Sequence, residues 1–85
     1  MSVHAAEKVL WLLSNERAEA DRFLGDSEGY LKSFRLDPAE RESLEKLDVR
    51  WLADRGVNPL LLLGAYRALK GPDSVPEYMR QMNSR

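Results

Sequence analysis

One stretch constrains the fold more than any other. Asp48 to Leu63 reads Asp-Val-Arg-Trp-Leu-Ala-Asp-Arg-Gly-Val-Asn-Pro-Leu-Leu-Leu-Leu, so four consecutive leucines follow a corner made by Gly56, Asn58 and Pro59. In a chain of 85 residues, folding buries roughly 60–65% of the surface that the unfolded chain exposes. Only one core is affordable at that size, and Leu60 to Leu63 are expected at its centre, with every other segment packed around them. Apolar residues make up 44% and charged residues 32%, the balance of a folded globular domain.

Helical periodicity accounts for the rest of the chain. Ser2 is expected to cap a first helix from about Val3 to Ser14, with Val3, Ala6, Val9, Leu10 and Leu13 at three- and four-residue spacing and Trp11 and Leu12 widening the apolar face. Asn15 marks a break before a second helix, Glu16 to Leu24, carrying Ala20, Phe23 and Leu24 on one stripe and ending at Gly25. Asp26 is expected to cap a short helix through Phe34, anchored by Tyr30, Leu31 and Phe34. Asp37, Pro38 and Glu40 form a capping-box arrangement that opens a helix running to Arg55, with Leu44, Leu47, Trp51 and Leu52 on one side and Gly56 as its C-cap. Asp48 is placed to divide that helix by capping a second one, and the residues alone do not decide between one helix and two.

Asn58 and Pro59 repeat the cap-then-proline device, launching a helix to about Lys70 that is apolar all round in its first turn and is therefore expected to be enclosed. Gly64 and Ala65 would admit a neighbour closely. Gly71-Pro72 stops the helix, and the Ser74 to Glu77 spacing suggests a capping box opening a short amphipathic tail, residues 72–85, with Tyr78, Met79 and Met82. No segment alternates with period two. The expectation is an all-α, multihelical single domain over 1–85, five to seven short helices around a central Leu-rich helix.

Residues that usually carry chemistry are scarce. The absence of cysteine removes thiolate metal sites, Cys nucleophiles and disulfides together. His4 is the single histidine and is expected to face solvent or a partner; no base stands beside Ser14, Ser27, Ser33, Ser43 or Ser74. Asp48 and Asp54, six residues apart, fall on different helix faces, so Asp48 reads as a cap or ion-pair partner. Glu42 and Lys46 read as an ordinary i,i+4 pair. A helix-turn-helix at Arg50 to Arg67 is disfavoured because four leucines stand where base-contacting polar side chains belong, and a net charge of −1 gives no footprint for nucleic acid or anionic membrane. With neither a secretory signal nor a ~20-residue apolar span, the expected location is cytoplasmic. The expected functional surface is a protein interface built from the terminal aromatics and methionines, Tyr66, Tyr78, Met79 and Met82, rimmed by Arg67 and Arg80.

From about His4 to Leu69 the sequence resembles the LigA family, the small (alpha) subunits of two-component extradiol ring-cleavage dioxygenases such as protocatechuate 4,5-dioxygenase. The resemblance is carried by a leading apolar helix, Arg22-Phe23, Asp26, Tyr30-Leu31 and Phe34-Arg35-Leu36, then Pro38 to Leu44, Asp48, Leu52, Gly56 and Pro59-Leu60. It implies an all-helical, non-catalytic subunit that packs on a large subunit and helps cover its active site, with the non-haem Fe(II) and its ligands in that large subunit and no cofactor in this chain. Larger members carry a longer segment where this chain has only Gly71 to Val75. That shortening suits an alternative: a stand-alone helical interaction module, or homodimer, with a LigA-like fold and no dioxygenase role.

Overall fold

The computed structural model describes residues 3–83. The expected cap at Ser2 lies outside them. Seven α-helices follow in order: α1 (Val3–Asn15), α2 (Arg17–Gly25), α3 (Ser27–Leu31), α4 (Pro38–Lys46), α5 (Val49–Asp54), α6 (Pro59–Lys70) and α7 (Val75–Asn83), with a 3₁₀ turn at Pro72–Ser74 before α7. No strand occurs among the described residues, and the fold is all-α. The Cα radius of gyration is 11.7 Å, matching the ~12 Å expected of a close-packed chain this long.

The helix starts are set by local chemistry. Asp26 accepts the backbone N–H of Gly29 at 3.1 Å to open α3. At α4 the capping box is complete: Asp37 accepts from the Glu40 N–H at 2.9 Å, and the Glu40 carboxylate accepts from the Asp37 N–H at 3.3 Å. That reciprocal pairing explains how Glu40 tolerates 2% exposure, since a buried carboxylate needs donors. Asn58 accepts the Leu60 N–H at 2.8 Å with Pro59 as the first helical residue of α6.

Asp48 does divide the fourth helical segment. Leu47 turns into the left-handed region at φ 55°, a conformation costly for a non-glycine residue, and its side chain is buried in compensation. The Asp48 N–H reaches back to the Ser43 carbonyl at 2.8 Å, closing α4, while the Asp48 carboxylate accepts the Trp51 N–H at 3.2 Å to open α5. Asp48→Ala should therefore cost about 1 kcal/mol and Asp48→Asn almost nothing. Urea titration of the two variants checks this: equal losses would mean that the cap is not what holds the junction.

Helix α6 is the hub, touching α1, α2, α5, α7 and the 3₁₀ turn, with its largest contact to α1. Leu62, Ala65 and Tyr66 are its buried residues, and they belong to one core cluster with Ala6, Val9, Leu10 and Leu13 from α1, Phe23, Tyr30 and Leu31 from α2 and α3, and Leu44, Leu47, Val49, Leu52 and Val57 from the α4–α5 region. The four leucines are not enclosed together. Leu62 is fully buried and Leu61 and Leu63 partly so, but Leu60 is 77% exposed. A helix first turn has a solvent side unless a neighbour is laid over it, and no element covers α6 there; the apolar composition of the turn does not supply one.

Two further expectations at the C-terminal end are corrected. Ser74 does not cap α7: its hydroxyl donates to the Gly71 carbonyl at 2.6 Å, and Glu77 instead accepts a hydrogen bond from the Tyr66 hydroxyl. The tail is a nine-residue helix that Gly71, at φ 101°, folds back onto α5 and α6.

Candidate functional site

Tyr66 and Tyr78 are core residues, not interface residues. They are 2% and 5% exposed and meet edge to face with ring centroids 5.6 Å apart. The Tyr78 hydroxyl donates to the Pro59 carbonyl at 3.2 Å. The physical reason is the reversal at Gly71 to Ser74, which lays α7 over α6, so that the aromatics expected to meet a partner meet each other. Met82 is half-buried against the core, and its carbonyl accepts from the Arg50 guanidinium. Arg67, Met79 and Arg80 remain exposed. The six expected interface residues are thus split between the interior and separate stretches of surface.

The exposed large apolar side chains are Trp11, Leu24, Leu60 and Met79. Trp11, expected to widen the apolar face of α1, is instead half exposed, because it stands outside the buried Ala6, Val9, Leu10, Leu13 stripe. The exposure of Leu60 is not legible in the sequence: every residue of its turn is leucine, so periodicity carries no information about which one faces water.

Trp11 lies on α1 and Leu60 on α6, the two helices with the largest mutual contact. The Glu7 carboxylate accepts the Asn58 N–H at 2.9 Å, and seven residues further along α1 a Cβ at Gly64 would lie 3.1 Å from the Ser14 Cβ. Those two contacts fix α1 and α6 side by side and parallel, in near-constant register. Glu7, Trp11 and Ser14 are one helical turn apart in sequence, as are Leu60, Gly64 and Arg67, so both triplets border the same seam. Beyond them lies a shallow hollow lined by Ser14, Gly64, Arg67, Ala68 and Pro72.

No comparable arrangement of reactive groups exists among the described residues. No group of three or more His, Cys, Asp or Glu side chains is gathered to hold a metal. His4 is exposed. In the hollow between α2 and α3, lined by Arg22, Gly25, Asp26, Gly29 and Tyr30, each polar group is already occupied. Arg22 pairs with Glu19 at 3.3 Å and lies 5.2 Å from the Tyr30 ring centroid, Asp26 caps α3, and the Tyr30 hydroxyl donates to Glu19 at 2.8 Å. Burial, followed by that hydrogen bond, pushes the Tyr30 phenol well above its ordinary pKa, so it stays neutral in the physiological range. Asp48 is committed as a cap and Asp54 pairs with Arg50 at 3.3 Å; Glu42 and Lys46 pair at 2.7 Å on the solvent face of α4.

No family model, curated protein or solved structure matches the chain. Function is therefore to be read from the surface and from the motif resemblance. Among the described residues no helix is long and apolar enough to cross a membrane. What the arrangement can do is bind: a parallel two-helix face with a half-exposed indole and an almost fully exposed leucine offers apolar area to another macromolecule.

Proposed function

We propose that this chain is a non-catalytic helical docking subunit, and that its partner is the large, Fe(II)-binding subunit of an aromatic-ring-opening extradiol dioxygenase, as the LigA resemblance implies. The observation that carries the docking role is the exposure of two large apolar side chains, Leu60 at 77% and Trp11 at 49%. Both side chains would gain free energy on burial, on the order of 1–2 kcal/mol each. The dioxygenase partner is supported by the Arg22-Phe23, Asp26, Tyr30-Leu31 and Asp48, Leu52, Gly56, Pro59-Leu60 motifs. Iron and its ligands belong to the large subunit in this reading, which also carries the cytoplasmic location. The small subunit acts by excluding water from the ring-opening site.

A stand-alone interaction module, monomeric or dimeric, is favoured by one observation: Gly71 to Val75 is spent on a tight reversal that returns α7 to the body, leaving no segment there to reach towards a neighbour's substrate. Affinity purification of the tagged chain from its native cell, with mass spectrometry, separates the two. Recovery of a large extradiol subunit, followed by ring-opening activity of the pair with Fe(II) and catechol-type acids, supports the dioxygenase role. Recovery of the chain alone, or with unrelated proteins, overturns it.

A further inference from the structure

We infer that α7 is an exchangeable helix: the groove on α5 and α6 that holds it also takes the α7 of a second copy of this chain, and Gly71 is the hinge that selects between the two. The inference goes beyond the docking role and requires no dioxygenase partner.

The helix is held by little apolar area and specified by directed polar contacts. Of its nine residues only Tyr78 is buried, with Met82 partly so, so α7 can leave its groove at lower cost than any helix of the central cluster. Its hydrogen bonds run to fixed points on the body. Gln81 accepts the N–H of Val49, the first residue of α5, at 2.9 Å, and the Tyr78 hydroxyl donates to the carbonyl of Pro59, the first residue of α6. Arg50 donates to the Met82 carbonyl, and the Tyr66 hydroxyl donates to Glu77. These contacts decide the occupant. An arbitrary amphipathic helix does not carry donors and acceptors at those places, whereas the α7 of a second copy carries all of them, so exchange between identical chains remakes every contact without a new complementary surface.

The tether is where the choice is made. One residue, Gly71, stands between the end of α6 at Lys70 and the 3₁₀ turn that begins at Pro72. It reverses the chain at φ 101° and ψ 161°, a region populated by glycine and essentially closed to residues with a side chain. Pro72 follows it, and a residue before proline is drawn towards the extended conformation. An extended residue 71 directs α7 away from its own groove. Opening gives up the two hydrogen bonds that Ser74 donates to the Gly71 carbonyl, while the contacts of α7 itself are recovered on the second copy. Glycine at this position therefore keeps α7 on its own body, and a short tether that cannot hold the reversal passes the helix to a neighbour.

Gly71→Ala in the full chain is the test. Beyond its chain neighbours nothing lies within 4 Å of the added Cβ, so the change acts on backbone conformation and not through a clash. Sedimentation velocity over a concentration series is expected to show a dimer whose midpoint lies about tenfold or more below that of the parent chain, with parent-like helicity by circular dichroism. Lengthening the tether of this variant by Gly-Ser-Gly between residues 71 and 72 should return it to monomer, and Leu60→Glu should leave its dimer unchanged. Because the chain has no cysteine, Arg50→Cys with Gln81→Cys and a short bismaleimide reports where α7 lies: the link should form within one chain in the parent background and between two chains in the Gly71→Ala background. The parent chain, concentrated near its urea midpoint and returned to buffer, should yield a minor dimer of the same kind. A folded Gly71→Ala monomer, a dimer indifferent to tether length or dissolved by Leu60→Glu, or links that stay within one chain would each overturn the inference. If Gly71→Ala unfolds, the parent decides: a tether-dependent dimer supports exchange and its absence overturns it. Failure here leaves the proposed docking function standing, since recovery of a large extradiol subunit does not depend on the exchange of α7.

Discussion

Leu62→Ala is expected to remove most of the fold's stability at room temperature, whereas Leu60→Ala, two residues away in the same leucine run, should change stability by less than about 0.5 kcal/mol. Leu62 is 0% exposed, at the centre of the helix that touches most of the others. Removing its three outer carbons forfeits their transfer free energy and leaves a cavity that helices on several sides cannot all collapse into, a loss of about 3–4 kcal/mol. A single small core supplies only about 5 kcal/mol in total, so the truncation approaches the whole stability. Leu60 is 77% exposed and Ala is the better helix former, so its truncation removes little that folding had gained. Urea denaturation followed by circular dichroism reads both as midpoint shifts. A loss below about 1 kcal/mol at Leu62 would mean that α6 is not the hub of the fold.

The contrast between those two leucines also marks the boundary of what the sequence discloses. Caps are legible because donor and acceptor are two or three residues apart and meet whatever the remainder does: Asp26, Asp37 with Glu40, Asp48 and Asn58 with Pro59 all stand where their spacing puts them. The Ser74 to Glu77 spacing has the same local form and fails, because Tyr66, eleven residues from Glu77, takes the carboxylate. A long-range hydroxyl that becomes buried must find an acceptor, and that demand outweighs a local cap. The interface suffered from the same cause. Tyr66 and Tyr78 look available for a partner until the reversal at Gly71 brings their rings together, and Leu60 looks enclosed until the parallel packing of α1 and α6 shows which side of the first turn has no neighbour. Gly64 is legible as a point of close approach because the absence of a side chain is itself the signal; nothing in its vicinity in the sequence points to Ser14 as the neighbour. The candidate site is tertiary throughout, being made of helices whose facing residues are some fifty positions apart.

Alkaline pH should dissolve the fold through its tyrosines. Burial first, and then the hydrogen bond donated to Glu77 and that carboxylate's charge, push the Tyr66 phenol up to about 12, against the opposing positive charge of Arg80. Tyr30 is raised in the same way by burial and Glu19, with Arg22 opposing, and Tyr78 is raised by burial. In each case the folded chain holds its phenolic proton more tightly than the unfolded chain, which releases it near pH 10. Above that value the unfolded state binds fewer protons, so stability falls with rising pH. The stabilisation is complete below about pH 10 and, for Tyr66, is lost as pH rises through about 12, amounting to roughly 3 kcal/mol for a shift of this size. With three tyrosines moving in the same direction, the chain should unfold within this alkaline range. Tyr66→Phe provides the decisive comparison. Near neutral pH it forfeits the hydroxyl's hydrogen bond and should be less stable than the parent by about 1 kcal/mol; near pH 12 it has no proton to lose and should be the more stable of the two. Denaturation curves at pH 7 and across pH 10 to 12 read this as a crossing of the two stability profiles. Parallel profiles would show that the phenol of Tyr66 titrates alike in the folded and unfolded chain, and that the buried Tyr66–Tyr78 pair contributes by packing alone.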